Sequence, residues 1–330
     1  MKNNMQLWFL EEINKDSWDH FFPEVEFANL MQSWEYGEAK TCEGWSPKRF
    51  LLFDGYKNKR GLLQILVKEV PFFGGIVRIN RGPVWLGGNF NNMLDEDELC
   101  KLWKAIRKYM LNKRWWFISC APEHPKVIES ESALLRAGYH LSKKKIPYGS
   151  SRLPLADNDI DFLFMNLKKK WRNLLRKGQK LGINPIEVTD KDKIRELISI
   201  YEDFQKTKKF GGISSCLLHS MFDGNSNFLQ IRVYQTLDSN NTQTSGFVFI
   251  VYTGDTATYL VGWSNKAGRA QQANYLLIWK GIEDAKKAGL SWFDLGGINA
   301  NTPEGVVHFK NGVNAKSFQN VGEYWSFFSI

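Results

Sequence analysis

The stretch Ser291–Val313, SWFDLGGINANTPEGVVHFKNGV, decides how this chain is read. Its apolar pulse, Trp292-Phe293-Asp294-Leu295, has the length and composition of a buried strand. The pulse runs into Gly296-Gly297, where a backbone without Cβ can take positive φ and lie close against a ligand. A polar excursion with Pro303 and Gly305 follows, and a second short apolar run delivers Phe309-Lys310 beside Gly312. The corner Asp294, Gly296, Gly297 and a lysine set on an aromatic suit the holding of one cation in a pocket. The blander alternative is a strand, a turn and a solvated surface lysine.

Upstream, one order of elements occurs twice. Phe27–Lys40 reads as a helical entry, with Leu30, Trp34 and Gly37 at three- and four-residue steps. Phe50–Phe53 and Gly61–Val70 read as paired strands around the turn-rich Asp54-Gly55-Tyr56-Lys57-Asn58, and Phe72–Trp85 as a further strand closed by Gly-Pro. An amphipathic helix over Leu94–Leu111, a buried strand over Trp115–Ser119 and a helix ending at Gly138 complete the first half. Ser150–Pro154 reads as the linker, after which the pattern restarts. Helices are expected over Leu167–Lys180 and Asp192–Gln205, and strands over Phe228–Tyr234, Ser245–Tyr252 and Thr258–Gly262. A helix over Gln271–Ala288, capped by Gly289, leads into the quoted stretch. Both halves end in helix, Gly and aromatic strand, so they read as divergent copies of one α/β unit with mixed pairing.

A chain of 330 residues with 43% apolar residues and thirteen Trp can fill two cores. Lys and Arg outnumber Asp and Glu by 44 to 35, for a net charge of +9, which favours polyanionic partners: nucleic acid, nucleotide phosphates or anionic lipid. No run of eighteen apolar residues exists, and the N-terminal apolar run is too short for a secretory leader. The four cysteines are scattered, with neither C-x-x-C nor metal-ligand spacing, and fit reduced thiols. A cytoplasmic location is expected.

The charge is concentrated on the helix expected at Leu167–Lys180. Lys168, Arg172, Arg176 and Lys180 repeat every fourth residue, with Lys169, Lys170 and Lys177 beside them and no acid among them. Such a face is ordinarily just solvated, but without an i,i+4 acid the cations repel one another unless an anion binds. Asn265-Lys266-Ala267-Gly268-Arg269-Ala270 opens a helix directly after a strand, the arrangement in which backbone N–H groups meet a phosphate. It is similar to the pyrophosphate loop of acetyl-CoA-dependent N-acetyltransferases, with Asn where Gln or Arg is commoner. The five histidines show no metal spacing, so no metal is expected. No nucleophile has a recognisable partner set, leaving direct attack of an amine on an activated acyl group. That reaction needs positioning and oxyanion stabilisation.

Four stretches together resemble the FemABX family. They are Gln32–Trp45, with a Trp five residues after Lys40; Arg81-Gly82-Pro83-Val84; Trp171–Lys177 ahead of Gly182; and Phe293–Ile298 through Phe309-Lys310, closing with Gly322-Glu323-Tyr324. They span almost the whole length in the family's order. The resemblance implies an α/β fold of two tandem GNAT-like acyl-CoA N-acyltransferase domains. One comprises 1–150, completed by 315–330, on the acceptor side; the other comprises 151–314, on the donor side. It implies that Lys310 stabilises the reacting ester with Phe309 in support, and that Lys40 binds the acceptor's phosphates, with Trp45 and Arg81 on the same side. Lys168, Arg172 and Arg176, with Asn265, Gly268, Arg269 and Asn274, then fall on the donor side. The Arg and Tyr by which cell-wall members grip a diphosphate-linked acceptor are missing from Gly212–Ser220, and Ala121 stands where the first domain's Asp would fall.

The expected activity is transfer of an amino acid from aminoacyl-tRNA to an amine other than the usual UDP- or lipid-linked muropeptide. No cofactor is expected beyond the aminoacyl-tRNA co-substrate. The partners are that tRNA and a small-molecule or precursor amine, with peripheral membrane association allowed and no stable protein partner implied. The alternative is an acyl-CoA-dependent N-acyltransferase acting on an amino sugar or another small amine in cell-surface or secondary-metabolite biosynthesis. A third, non-enzymatic reading is a basic RNA- or membrane-surface-binding protein.

Overall fold

In the computed structural model, residues 7–72, 74–87, 94–224 and 226–327 are described. Phe73, within the strand expected at Phe72–Trp85, lies outside them, as do the first six residues of the stretch read for a leader. The chain divides into two compact units, one ending at Gly149 and resuming at Phe318, the other Ser150–Ser317.

Unit 1 holds β1 (Phe9–Glu12), β2 (Ser46–Phe53), β3 (Lys59–Val70), β4 (Gly74–Asn80), β5 (Val84–Trp85), β6 (Trp115–Ala121) and β7 (His140–Leu141). In unit 2 lie β8 (Gly149–Pro154), β9 (Ile186–Glu187), β10 (Leu229–Leu237), β11 (Thr244–Thr253), β12 (Thr256–Ser264) and β13 (Trp292–Asp294). β14 (Lys316–Gln319) leads back to β15 (Tyr324–Phe327) in unit 1. The sheet orders are β1-β2-β3-β4-β6-β15-β7, with β5 on β3, and β14-β8-β13-β12-β11-β10-β9.

In unit 1 the β2–β3 turn is made by Asp54, whose Oδ1 accepts from the N–H groups of Tyr56 and Asn58 at 2.9 Å each. That is the local bonding by which Asp favours a turn over a ladder. The helix Glu96–Asn112 is capped by Asp95 and carries three acids in its first turn. It buries Leu99, Leu102, Trp103, Ile106 and Met110, the inward stripe of a 3.6-residue period. These side chains join Phe50, Leu63, Val77, Ile118 and Tyr324 in one core. The helical entry expected at Phe27–Lys40 is broken into a 3₁₀ turn Leu30–Gln32, a helix Trp34–Ala39 capped by Ser33, and a 3₁₀ turn Lys40–Glu43.

In unit 2 the helix Ala273–Lys287 lies on the sheet through Leu277, Ile278, Ile282 and Ala285. Gly281 permits the approach, since a Cβ there would stand 2.0 Å from Ile250 Cδ1. Two expectations fail here. Ser150–Pro154 is no linker; β8 is an inner strand between β14 and β13, and residues 149–153 are buried. Its polar residues are inside because each has a partner: Ser150 bonds Asp294, Ser151 Oγ lies 3.0 Å from Ser317 Oγ, and Arg152 faces Asp294. The basic helix runs Lys169–Lys180, starting two residues after the expected Leu167, and buries Trp171, Leu175 and Gly178. A separate helix, Ile160–Asn166, precedes it.

Among the described residues no helix is long and apolar enough to cross a membrane, and no cluster of His, Cys, Asp and Glu could hold a metal ion. Cys100 and Cys120 are free and buried, but Cys42 and Cys216 are disulfide-bonded. The expectation of four reduced thiols fails at those two, because scattered spacing in sequence does not show which thiols the fold brings to a partner.

Candidate active site

The expected glycine corner forms where a parallel ladder stops. β12 and β13 pair only over Thr256↔Trp292, Ala257↔Phe293 and Thr258↔Asp294. β13 ends there, while β12 continues to Ser264 and shifts register against β11, leaving Leu260 between the pairs Ile250↔Tyr259 and Phe249↔Val261. In unit 1 the parallel pair β4–β6 instead runs on to Asn80↔Ala121. Gly296 turns the chain at φ +72, and a Cβ there would sit 2.4 Å from the Tyr259 carbonyl oxygen. Any other residue would be strained and would collide with backbone.

Asp294, 1% exposed, holds the corner together. Its Oδ1 accepts from the Ser150 hydroxyl and from the Gly296 N–H at 2.8 Å. Its Oδ2 lies 3.7 Å from Arg152 Nε. Asp294 therefore shapes the corner and carries a charge near it.

Lys310 is the buried residue of the helix Glu304–Asn311, at 7% exposure. It stands on a helix rather than on the short apolar run expected, because Pro303 caps a turn that the sequence pattern had merged with the excursion. Its Nζ donates to the Gly297 carbonyl oxygen at 2.9 Å and lies 5.3 Å from the centre of the Tyr259 ring. Among the described residues no carboxylate stands within ion-pair distance. Burial pushes the ammonium's pKa down to about 8, and the charge of Asp294 acts in the opposite direction. The result is a desolvated cation with one N–H committed and two left over.

The aromatic under Lys310 is thus Tyr259, not Phe309. Burial raises the Tyr259 phenol to about 12, so it stays neutral. Gly262 makes room for it, since a Cβ there would meet its hydroxyl at 2.0 Å. Phe309 turns away from the ammonium into a cluster with Tyr275 (5.1 Å, edge-on) and Trp171 (6.0 Å, tilted). It supports the lysine through its own helix. Tyr259, Ser150 and Tyr275 went unnoticed in the sequence, where nothing links β12 or β8 to a lysine so far along the chain.

The seven cations of the Lys168–Lys180 segment have no carboxylate within 4 Å among the described residues. In the same unit, the helix Lys191–Lys208 neutralises itself through Lys193–Glu196, Arg195–Asp192 and Lys206–Glu202. Lys168, Lys169, Lys170, Arg176, Lys177 and Lys180 are exposed. Arg172 is partly spent on the Met165 carbonyl, 2.6 Å away, and Arg176 lies over the Phe164 ring at 5.1 Å.

Asn265 and Gly268 have structural occupations. Asn265 Oδ1 accepts from the Gly268 N–H at 2.9 Å and its Nδ2 donates to the Thr244 carbonyl. A Cβ on Gly268 would come 2.1 Å from the Ser245 carbonyl oxygen, so that glycine serves the packing of a five-residue helix on β11. Arg269 is exposed and donates to the Ser264 carbonyl, and Asn274 is half-buried near the start of the helix Ala273–Lys287.

In unit 1, Lys40 is paired with Glu43, and Trp45 carries the Lys68 ammonium 4.7 Å above its ring. Arg81 is buried and grips Glu123 with two parallel bonds, 2.5 and 2.8 Å, while Tyr148 covers its guanidinium at 4.4 Å.

Residues 226–327 match the FemAB family. Across 97% of both chains the fold is that of FemX, with a TM-score of 0.74 at 15% identity. A tandem GNAT protein from the clavulanic acid biosynthesis pathway aligns over 97% of this chain and 98% of its own, with a TM-score of 0.55 at 10% identity. L-PGS from Bacillus licheniformis aligns over 96% and 92%, with a TM-score of 0.53 at 13% identity. At these identities the likeness is one of fold. No curated protein matches the chain in sequence.

Proposed function

We propose that the chain, with FemAB-family sequence at 226–327 on a FemX-like tandem GNAT fold, is a FemABX-type acyltransferase that moves an amino acid from aminoacyl-tRNA to an amine. The observation that carries this reading is the desolvated Lys310 ammonium at the Asp294–Gly297 corner, bonded to Gly297 and, among the described residues, without a carboxylate in ion-pair reach.

The amine nitrogen attacks the ester carbonyl carbon, and negative charge gathers on the carbonyl oxygen. A cation already stripped of water stabilises that charge without having to reorganise. The ester C–O bond then breaks, the amide forms, and the amine's proton goes to the departing ribose oxygen. With a pKa near 8, Lys310 can hand that oxygen a proton and take one back from the amine. The unpaired cations of the Lys168–Lys180 segment gather the tRNA's phosphates, and Arg269 and Asn274 remain donor-side contacts. Lys40 and Trp45 serve the acceptor; Arg81, held by Glu123, serves it by supporting their unit. The acceptor is an amine other than the usual muropeptide, given the missing Arg and Tyr in Gly212–Ser220.

Transfer assays with a panel of charged tRNAs and amines test this. Transfer is expected, falling at least ~100-fold in Lys310→Ala, the loss seen when an oxyanion donor is removed. Full activity in that variant would overturn the role of Lys310. Transfer from acyl-CoA but from no charged tRNA would replace the donor by that of the alternative reading.

A further inference from the structure

Trp171 stands where the basic helix meets the helix of Lys310. Its backbone belongs to Lys169–Lys180, it is buried, and its indole packs against Phe309, the residue before the lysine. Gly312 lies so close on that indole that a Cβ would come 2.4 Å from Cδ1 and 3.0 Å from Cγ. The Gly312 backbone, at φ −70, would accept any residue, so the indole alone demands glycine. A backbone bond ties the same two elements: the Lys168 N–H donates to the Gly312 carbonyl at 2.9 Å.

A lysine side chain has wide rotamer freedom, so its ammonium is placed only if its backbone is placed. One end of Lys310 is fixed at the Gly297 carbonyl. The other end is fixed by Phe309 and Gly312, and both rest on Trp171.

We propose that Trp171 is a positioning residue for Lys310, and that through it and the Lys168–Gly312 bond the anion-collecting helix and the ammonium move as one piece. This rests on the reading of Lys310 as the group that meets the reacting ester. An anion seated on the basic helix then steadies the lysine as well as bringing in the donor. A merely solvated basic helix would need no such tie.

The test uses Gly312→Ala, Trp171→Ala and their combination in the full chain. Lys310 is titrated by NMR of the lysine Cε groups, assigned by its loss in Lys310→Ala, and no substrate is needed. With Gly312→Ala, the added methyl displaces the last turn, and Lys310 titrates above about 8, toward the ordinary lysine value. Turnover falls at least ~10-fold, since a shift of about 1 Å is costly in a positioned site. Binding of tRNA stays within ~2-fold, because no cation of the helix is removed. Trp171→Ala removes Cγ and Cδ1 and with them the clash, so adding Gly312→Ala to it has little further effect, the non-additivity of groups in contact. Should Gly312→Ala not fold, Trp171→Ala alone must raise the Lys310 titration by loosening the turn. Unmoved titration in folded variants, or simple additivity, overturns the proposal. A titration that moves as stated while no donor supports transfer leaves the positioning standing and rejects the proposed reaction.

Discussion

The Lys310 ammonium sits 2.9 Å from the carbonyl oxygen of Gly297, thirteen residues earlier in the chain. That bond joins the glycine corner after β13 to the helix Glu304–Asn311. It also explains why the intervening excursion exists: it carries the chain out and brings it back with a cation pointing at the corner.

The pH dependence follows from burial. Lys310 is charged below about 8 and loses its proton above it, so transfer should decline above pH ~8 and the decline should vanish in Lys310→Ala's residual rate. The stability effect has the opposite sense. A lysine whose folded pKa lies below its unfolded value disfavours the folded state while charged, and stability rises as pH climbs from about 8 toward about 10.5. Lys310→Met should therefore cut transfer at least ~100-fold without lowering stability at pH 7, with a gain of up to ~1 kcal/mol after loss of the Gly297 bond. Activity profiles and denaturation of both forms check this.

Asp294→Asn removes the charge that holds the Lys310 pKa up, so the alkaline limb of the activity profile should move below about 8. Because Asp294 also accepts from Ser150 and Gly296, the variant should lose ~1–3 kcal/mol of stability. A profile that moves upward would contradict the electrostatic assignment.

Gly296→Ala should be worse than its size suggests. The residue combines φ +72 with a Cβ site 2.4 Å from the Tyr259 carbonyl, and a strained, clashing backbone costs ~1–3 kcal/mol or more. Loss of transfer together with lowered denaturation midpoint is expected; Gly305→Ala, with open space around its Cβ site, serves as the control.

Charge reversal at Lys169, Lys170 and Lys177 tests the basic helix. These side chains are exposed and have no carboxylate partner among the described residues, so Lys→Glu at all three should leave stability unchanged within ~0.5 kcal/mol. The slope of log tRNA affinity against log salt should fall by about 2, from three lost phosphate contacts. Fluorescence anisotropy across a salt series measures it, and an unchanged slope would place the tRNA elsewhere.

Arg81→Ala separates support from acceptor binding. With Arg81 removed, Glu123 is left buried without its guanidinium, and breaking such a buried pair costs ~3–5 kcal/mol. Direct acceptor contact would instead raise KM with stability intact.

Much of the architecture was legible as pattern. Periodicity located the helices at Glu96–Asn112, Lys191–Lys208 and Ala273–Lys287 and the strands β10 to β13 to within a few residues, because their inward faces repeat at 3.6 or 2 residues. Ser150–Pro154 escaped this reading since its polar residues satisfy one another across strands distant in sequence, which no local window contains. Phe309-Lys310 was misread for a related cause: adjacency suggested that the ring carried the ammonium, whereas neighbours on a helix point about 100° apart.

The sequence by itself determined that two α/β units recur, that cations without acids crowd one helix, and that Gly296-Gly297 and Lys310 belong to one constellation. Only the tertiary structure decided that Tyr259 lies beneath the ammonium, that Asp294 ties Ser150 to the corner, and that Trp171 locates the helix carrying Lys310. The physical reason is that residue type and spacing encode local geometry and the demand for burial. Which buried group answers which is settled by strand order, where β8, β12 and β13 become neighbours although 140 residues of chain separate Pro154 from Asp294.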